Sequence, residues 1–289
     1  MPELPEVETI KRGLQKVILG ETIFAVDQRR FDLRWPFPKN FGSKLMGARI
    51  INVRRRSKYL LFDLDTKDTL IVHLGMSGKL LTVNDSDNTG KKMGYFSYKN
   101  SVPKKHDHVI FHLAGTKKLY YNDPRRFGAM DLVLTEEVNL HKSLVNLGPE
   151  PLGSFFSGDY LYSILKTKKC SIKSALMDQR VVSGLGNIYV SEALWGAKVS
   201  PRRRSNSISK QRTNKLAKSI QDILGEAILA GGSSLKDYKQ TSGESGYFQH
   251  SFNVYNRADM NCTFEGCNSS IKKIVQSGRA TFYCASCQK

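Results

Sequence analysis

The hydrophobic period changes part-way along the chain, and this limits the fold to an architecture with two unlike halves. Up to about residue 135, apolar and polar residues alternate in short runs: ARIINVRRR, YLLFDLD, TLIVHLG, DHVIFHLAG, KLYYND and AMDLVL. Alternation in runs of this length marks half-buried strands, and the turns DLDTKDT and LAGTKK between them suit antiparallel pairing. A β-sandwich or barrel follows as the expected form. Beyond LGPEPLGS, Leu147 to Ser154, the period becomes helical, in DYLYSILKT, SIKSALMDQ, NIYVSEALWGAKV and KQRTNKLAKSIQDILGEAILAG. Two prolines and two glycines make that segment the expected domain boundary. One helix precedes the strands, because Val7, Ile10, Leu14, Val17 and Ile18 recur at its spacing and Gly20 stops it. The polar stretch VNDSDNTGKKMGYFSYKNSVPKKH reads as a surface loop.

Four of the five cysteines crowd the last 28 residues as Cys262-x4-Cys267-x16-Cys284-x2-Cys287. Two short-spaced thiolate pairs are the ligand set of a closed, tetrahedral structural Zn2+ site. Two disulfides are the alternative, which a reducing compartment disfavours. No ligand position stays open for water, so chemistry is not expected there. Gly278-Arg279-Ala280, between the pairs, suits a hairpin tip that turns an arginine outward. Cys170, outside the cluster, reads as a small buried hydrophobe.

The chain carries 45 Lys and Arg against 26 Asp and Glu, a net charge of +19. Up to residue 135 there are 24 basic and 14 acidic residues, and beyond it 21 and 12. A basic tail is therefore not the source, and two positive halves suit a shared polyanion. A solvated basic surface without a partner is the plain alternative. No apolar run approaches the ~18 residues needed to cross a bilayer. The acidic, proline-bearing start does not read as a signal peptide, so the cytoplasm is expected.

That start, MPELPEVETI, places three glutamates in the first eight positions. Methionine aminopeptidases remove Met1 before a small residue, which leaves Pro2 as a free secondary amine. An α-amino group titrates near 8 and lysine near 10.4, so at neutral pH the terminal amine is far more often unprotonated. A secondary amine condenses with an aldehyde carbon to a cationic iminium, an electron sink. Glu3 is within a residue of that amine as a general acid or base, and Glu6, a turn on, can reach the same pocket. Capping a helix N-terminus is the structural alternative for Glu3, Glu6 and Glu8.

Taken together, these strings resemble the bacterial formamidopyrimidine-DNA glycosylases over essentially the whole chain. The resemblance is carried by PELPEVET, HLGMSG, NDPRRFGAM, MDQRVVSGLGNIYVSE, GYFQHSFNVYNR and GRATFYCASCQK, in that order. It implies an α+β multidomain fold: an N-terminal antiparallel β-sandwich over 1–135, a linker over 136–154, a helix–two-turns–helix domain over 155–250 and a zinc-finger β-hairpin over 251–289. It also implies a monomer that acts on double-stranded DNA containing a damaged base or abasic site, with no membrane partner. The implied activity is removal of oxidised purines, 8-oxoguanine and formamidopyrimidines, followed by β,δ-elimination at the abasic site. Pro2 would be the nucleophile, Glu3 the proton shuttle and Lys58, in RRRSKYLLF, a phosphate-gripping lysine. Glu6 would contact the damaged base or order the pocket.

Chemistry on a stacked base requires its extrusion, and the hole must be filled. Met76, Arg125 and Phe127 match the family's void-filling residues, two apolar wedges and an arginine for the orphaned base. Read without the resemblance, Met76 and Phe127 belong to a core and Lys58 to a solvated run of charge. Asn187 falls at a helix start after two glycines, as an N-cap or a phosphate ligand. Lys173 and Arg279 match residues near the phosphates beside the lesion, and the segment from about Ser233 to Tyr247 matches one that closes over the extruded base. The chain departs from the pattern in the x4 cysteine spacing, in Asn256 where relatives usually carry glycine, and in the long polar loop at 84–105. The alternatives are the sister endonuclease VIII type, whose chains begin PEGPE and prefer oxidised pyrimidines, and a catalytically silent DNA-binding protein.

Overall fold

The computed structural model describes residues 2–84, 104–233 and 247–289. The chain divides into two compact units, Met1–Val145 with Gly231–Gly246 and Asn146–Ala230 with Tyr247–Lys289.

In the first unit, helix α1 (Leu4–Ile18) carries Pro5 in its opening turn, where a helix has no partner for an N–H in any case. Its face of Leu4, Val7, Ile10, Leu14 and Ile18 is buried, at ~2 kcal/mol per large side chain. Gly20, at φ +82°, takes the left-handed turn that ends it. Two four-stranded antiparallel sheets follow. One holds β1 (Ala25–Gln28), β6 (Asp107–His112), β7 (Lys117–Asn122) and β5 (Lys79–Asn84), in that order. The other holds β2 (Ile50–Arg56), β3 (Tyr59–Leu64), β4 (Asp68–His73) and β8 (Ala129–Leu134). Phe62, Leu70 and Val72 of one sheet share a core with Leu80, Phe111 and Leu119 of the other and with α1, so the expected sandwich forms.

Three elements of this unit are absent from the sequence reading. β1 offers one strongly apolar residue, Val26, and α2 (Phe41–Leu45) is too short for a period to show. β5 turns only Leu80 and Thr82 into the buried layer, and its last two residues open the polar stretch read as a loop. Residues 85–103 of that stretch lie outside the described residues.

The second unit contains α3 (Gly158–Lys166), α4 (Ile172–Met177), α5 (Asn187–Gly196) and α6 (Lys210–Leu229). Ser157, Ser171 and Ser209 cap three of them through their hydroxyls, each accepting from the N–H three residues on. α5 is buried from Ile188 to Leu194 and runs through the middle of this unit. A hairpin of β9 (Ile271–Gln276) and β10 (Arg279–Cys284) follows. Cys170 is exposed rather than buried, because it lies in the turn before α4, where Ser205 holds its carbonyl through both N–H and hydroxyl at 2.9 Å. No helix among the described residues is long and apolar enough to cross a membrane.

Candidate active site and nucleic-acid interface

Pro2 is buried immediately before Glu3, the N-cap of α1. Glu3 and Glu6 are 3% and 2% exposed, so two carboxyl groups stand at the positive end of the helix dipole beside the first residues of the chain. The two form a capping box, the Glu3 side chain accepting from the Glu6 N–H and the Glu6 side chain from the Glu3 N–H. Glu6 Oε2 accepts from the Glu3 N–H at 2.8 Å, and its Oε1 accepts from the Ser233 N–H at 2.8 Å and the Ser233 hydroxyl at 3.1 Å. Gly231 and Gly232, both at positive φ, bring that segment in, and a Cβ on Gly232 would press on Glu6 at 3.0 Å. Glu6 thus ties the chain start to the last residue before 234–246. The loop expected to close over an extruded base falls on those residues and lies outside the described ones.

Glu8 has a different setting. It accepts from Arg12 at 2.9 Å and from Arg55 at 2.9 Å and pairs with Lys11 at 2.8 Å. Burial alone would push its carboxyl up, but the bonds from Lys11, Arg55 and Arg12 outweigh it and hold the group below its ordinary value.

Lys58 is buried at 6% exposure in the two-residue turn joining β2 to β3, where Ser57 adopts φ +55°. This corrects the reading of Lys58 as one more solvated charge. Beside it is His73, which the sequence reading did not single out. Burial first, and then the charges of Lys58 and Arg34, push its pKa down to about 4. Its Nδ1 accepts from the Gly75 N–H at 3.1 Å, which fixes a neutral ring with the proton on Nε2. A polar residue closing an apolar strand was the available signal.

Met76 and Phe127 stand out at 38% and 46% exposure instead of joining the core. The Arg125 guanidinium lies 4.8 Å from the Phe127 ring centroid. The three therefore share one rim, formed by the turn after β4 and the turn after β7.

In the second unit, Lys173 and Asn187 converge on one atom. Lys173 Nζ donates to the Ala280 carbonyl at 2.9 Å and the Thr281 hydroxyl at 2.7 Å, and Asn187 Nδ2 donates to the same carbonyl at 3.0 Å. Gly186, not Asn187, is the N-cap of α5, so Asn187 does no capping and reaches the hairpin. Its Oδ1 is buried with no hydrogen-bond partner among the described residues. Arg279, next to Ala280, is exposed at the start of β10. Ser277 and Gly278, at φ 48° and 72°, form the two-residue turn that precedes it. A cleft of about 220 Å³ opens here, with Lys173, Asp178 and Arg279 on its walls. Asp178 is held down to about 2, chiefly by its bonds from Arg180.

The four cysteine Sγ atoms lie within 4.8 Å of one another, with Cys262 and Cys287 3.9 Å apart and Cys267 and Cys284 3.7 Å apart. Sulfurs bound tetrahedrally to one zinc at 2.3 Å are separated by ~3.8 Å, so this cluster fits such an ion. Glu192 on α5 fastens the approach to it, accepting from the N–H groups of Asn253, Val254 and Tyr255 at 2.9, 3.0 and 2.7 Å.

Residues 1–130 match the family model of the formamidopyrimidine-DNA glycosylase N-terminal domain, and residues 147–239 match that of the H2TH domain of the same enzymes. The chain belongs to the formamidopyrimidine-DNA glycosylase family. Among its relatives, the formamidopyrimidine-DNA glycosylase of Roseobacter denitrificans is 53% identical and that of Ruegeria pomeroyi 50%, each over 100% of both chains. Among solved structures, the MutM (Fpg) protein of Thermus thermophilus superposes with a TM-score of 0.85 at 35% identity, covering 99% of this chain and 98% of that one. A point mutant of the Lactococcus lactis Fpg in complex with Fapy-dG-containing DNA gives 0.87 at 34% identity, with both chains fully covered. The same species' enzyme with abasic-site DNA gives 0.86 at 34%, covering 99% of each chain. The fold is that of the glycosylase family: a β domain, a helical H2TH domain and a cysteine cluster with a hairpin.

Proposed function

We propose that this base-excision DNA glycosylase removes 8-oxoguanine and formamidopyrimidines with Pro2 as its nucleophile. The observation that carries the reading is the buried start of α1, where Pro2 directly precedes two carboxyl groups at a helix N-terminus. After loss of Met1, the Pro2 nitrogen attacks C1′ of the extruded nucleotide and the glycosidic bond breaks, its electrons leaving with the base. Glu3 protonates the ring oxygen, the sugar opens, and the nitrogen lone pair completes an iminium at C1′. The iminium acidifies C2′. Removal of that proton expels the 3′ phosphate, and a second elimination expels the 5′ phosphate.

The remaining residues position the DNA. Lys58, Lys173, Asn187 and Arg279 grip phosphates. Met76 and Phe127 fill the void, and Arg125 meets the orphaned base. Glu6 orders the pocket from behind by holding Ser233. The cysteines Cys262, Cys267, Cys284 and Cys287 hold one structural Zn2+, which keeps the Arg279 hairpin in shape. The working division is a catalytic sandwich over 1–135, a linker over 136–154, an H2TH domain over 155–250 and a finger over 251–289, in a cytoplasmic monomer.

Borohydride trapping on a duplex with one 8-oxoguanine opposite cytosine tests this. The expected result is an adduct on residue 2, lost in Pro2→Gly and weakened in Glu3→Gln. An adduct formed only on an oxidised-pyrimidine duplex assigns the endonuclease VIII specificity instead. Absence of any adduct with Met1 removed leaves a DNA-binding protein.

A further inference from the structure

Asp123 is fully buried, yet no step of the proposed reaction uses it. It follows β7 directly and joins two turns far apart in sequence. Its Oδ1 accepts from the Ser77 hydroxyl at 2.6 Å and the Arg125 N–H at 3.3 Å. Its Oδ2 accepts from the Gly128 N–H at 2.8 Å and the Tyr121 hydroxyl at 3.3 Å. Ser77 Oγ itself accepts from the Arg125 N–H at 3.2 Å. The main chain of Asp123 is also tied down, with its N–H on the His106 carbonyl at 3.0 Å and its carbonyl on His108 Nε2 at 2.8 Å.

Around this carboxyl group the two turns approach as closely as backbones can. A Cβ on Gly75 would lie 2.4 Å from the Phe127 carbonyl carbon, and one on Gly128 would lie 1.7 Å from the Tyr121 hydroxyl. The residues next to these anchors are Met76, beside Ser77, then Arg125 itself, and Phe127, beside Gly128. Taking a carboxylate out of water is costly, and well-packed apolar replacements of buried ionic groups are often neutral or better for stability. Stability alone therefore gives a weak reason for this group. Geometry gives a strong one, because three donors from two turns and the Tyr121 hydroxyl of β7 meet on its two oxygens.

We propose that Asp123 is the positioning residue of the void-filling rim, fixing the spacing of Met76 against Arg125 and Phe127 so that all three enter the duplex together. This rests on the void-filling assignment of those three residues given above. Asp123→Asn keeps the volume but replaces one acceptor with an NH2 that faces donors, which loosens the rim without emptying the core.

The test compares wild type, Phe127→Ala, Asp123→Asn and Ser77→Ala on two substrates. On an 8-oxoguanine duplex with 2-aminopurine beside the lesion, excision and the fluorescence change that reports wedge insertion are measured. On single-stranded DNA with an abasic site, where no void needs filling, borohydride trapping is measured. Asp123→Asn is expected to lose about 100-fold in duplex excision, the scale of a misplacement near 1 Å. It should also lose the fluorescence step, as Phe127→Ala does, while single-strand trapping stays within a few-fold of wild type. Ser77→Ala, which removes the bonds through the Ser77 hydroxyl but leaves the Arg125, Gly128 and Tyr121 donors on Asp123, should show the same selective pattern more weakly, and it decides the matter if Asp123→Asn does not fold.

Equal losses on both substrates would reduce Asp123 to a stability element and overturn the proposal. Normal wedge insertion in both rim variants, with Phe127→Ala defective, would overturn the positioning role and leave the void-filling reading intact. A Phe127→Ala protein indistinguishable from wild type would sink both.

Discussion

His73 is an uncharged imidazole in a chain of net charge +19, and it is neutral because of where it sits. Burial is the largest cause of its low pKa, and the Lys58 charge is the next. Lys58→Met should therefore raise the pKa of the His73 ring from about 4, read from its carbon-bound proton shifts in an NMR titration. A depressed histidine pKa means that the unfolded chain takes up the proton first, beginning near the ordinary 6.5. The stability linked to His73 is thus fully present above that value and is lost as pH falls through about 4. Glu8 offers a second test among the glutamates of the amino terminus. Its carboxyl, held low by Lys11, Arg55 and Arg12, contributes at neutral pH and is lost as pH falls below the ordinary carboxylate range. Glu8→Gln is expected to cost on the order of 3 kcal/mol in urea denaturation, as for a broken buried ion pair. Adduct formation at residue 2 should survive it, because Glu8 is engaged with Arg12 and Arg55 rather than with the chain start. The same experiment on Glu3→Gln should give the opposite pattern, weak trapping with little loss of stability.

At the scale of elements, turns decide more than strands. Asn256 occupies φ +58°, a left-handed position that asparagine tolerates and a β-branched residue does not. Asn256→Gly should leave thermal stability within about 0.5 kcal/mol, whereas Asn256→Val should cost ~1–2 kcal/mol. Asparagine and the glycine expected from the resemblance both suit that backbone. Elements with a strong pattern are legible: α1 because its own residues state which face is buried, and β3 because it is an apolar run buried on both faces. β1, β5 and α2 are not, because their few inward residues gain meaning only from partners elsewhere in the core. The same distinction holds in the site. PELPEVET, HLGMSG and the cysteine spacing are contiguous strings that can be read in place. Asp123 and Ser77 are 46 residues apart, and nothing in either string announces the hydrogen bond between them. The exposure of Met76 and Phe127 likewise depends on glycines in two turns closing on each other, which a one-dimensional pattern does not carry. Gly75→Ala should expose that dependence. The residue sits at φ +61° with no room for a Cβ, and the loss is expected to be about 3 kcal/mol in chemical denaturation.

Across the whole molecule, the division into two units makes the contribution of a metal held by the four cysteines separable. The four cysteines belong to the second unit, as do Lys173, Asn187 and Arg279, while the first unit has a core of its own. The finger's buried apolar cluster is small, built on Val254, Ile271 and Phe282 with the cysteines themselves and flanked by Trp195, Tyr255 and Phe264, so an ion at the cysteines would add substantially to what holds the hairpin closed. Removing the ion with a chelator should lower the melting transition of the second unit and leave that of the first in place, read by calorimetry on the full chain. DNA binding should respond in a matching way. With about five phosphate contacts, affinity should fall as roughly the fourth to fifth power of salt concentration. Arg279 opens β10 directly after the hairpin turn, so the stripped protein should bind more weakly at every salt concentration, with a slope smaller by about one. Arg279→Ala with the ion in place should reproduce that slope without moving either melting transition. A stripped protein that keeps the full slope would show that the hairpin holds Arg279 without metal.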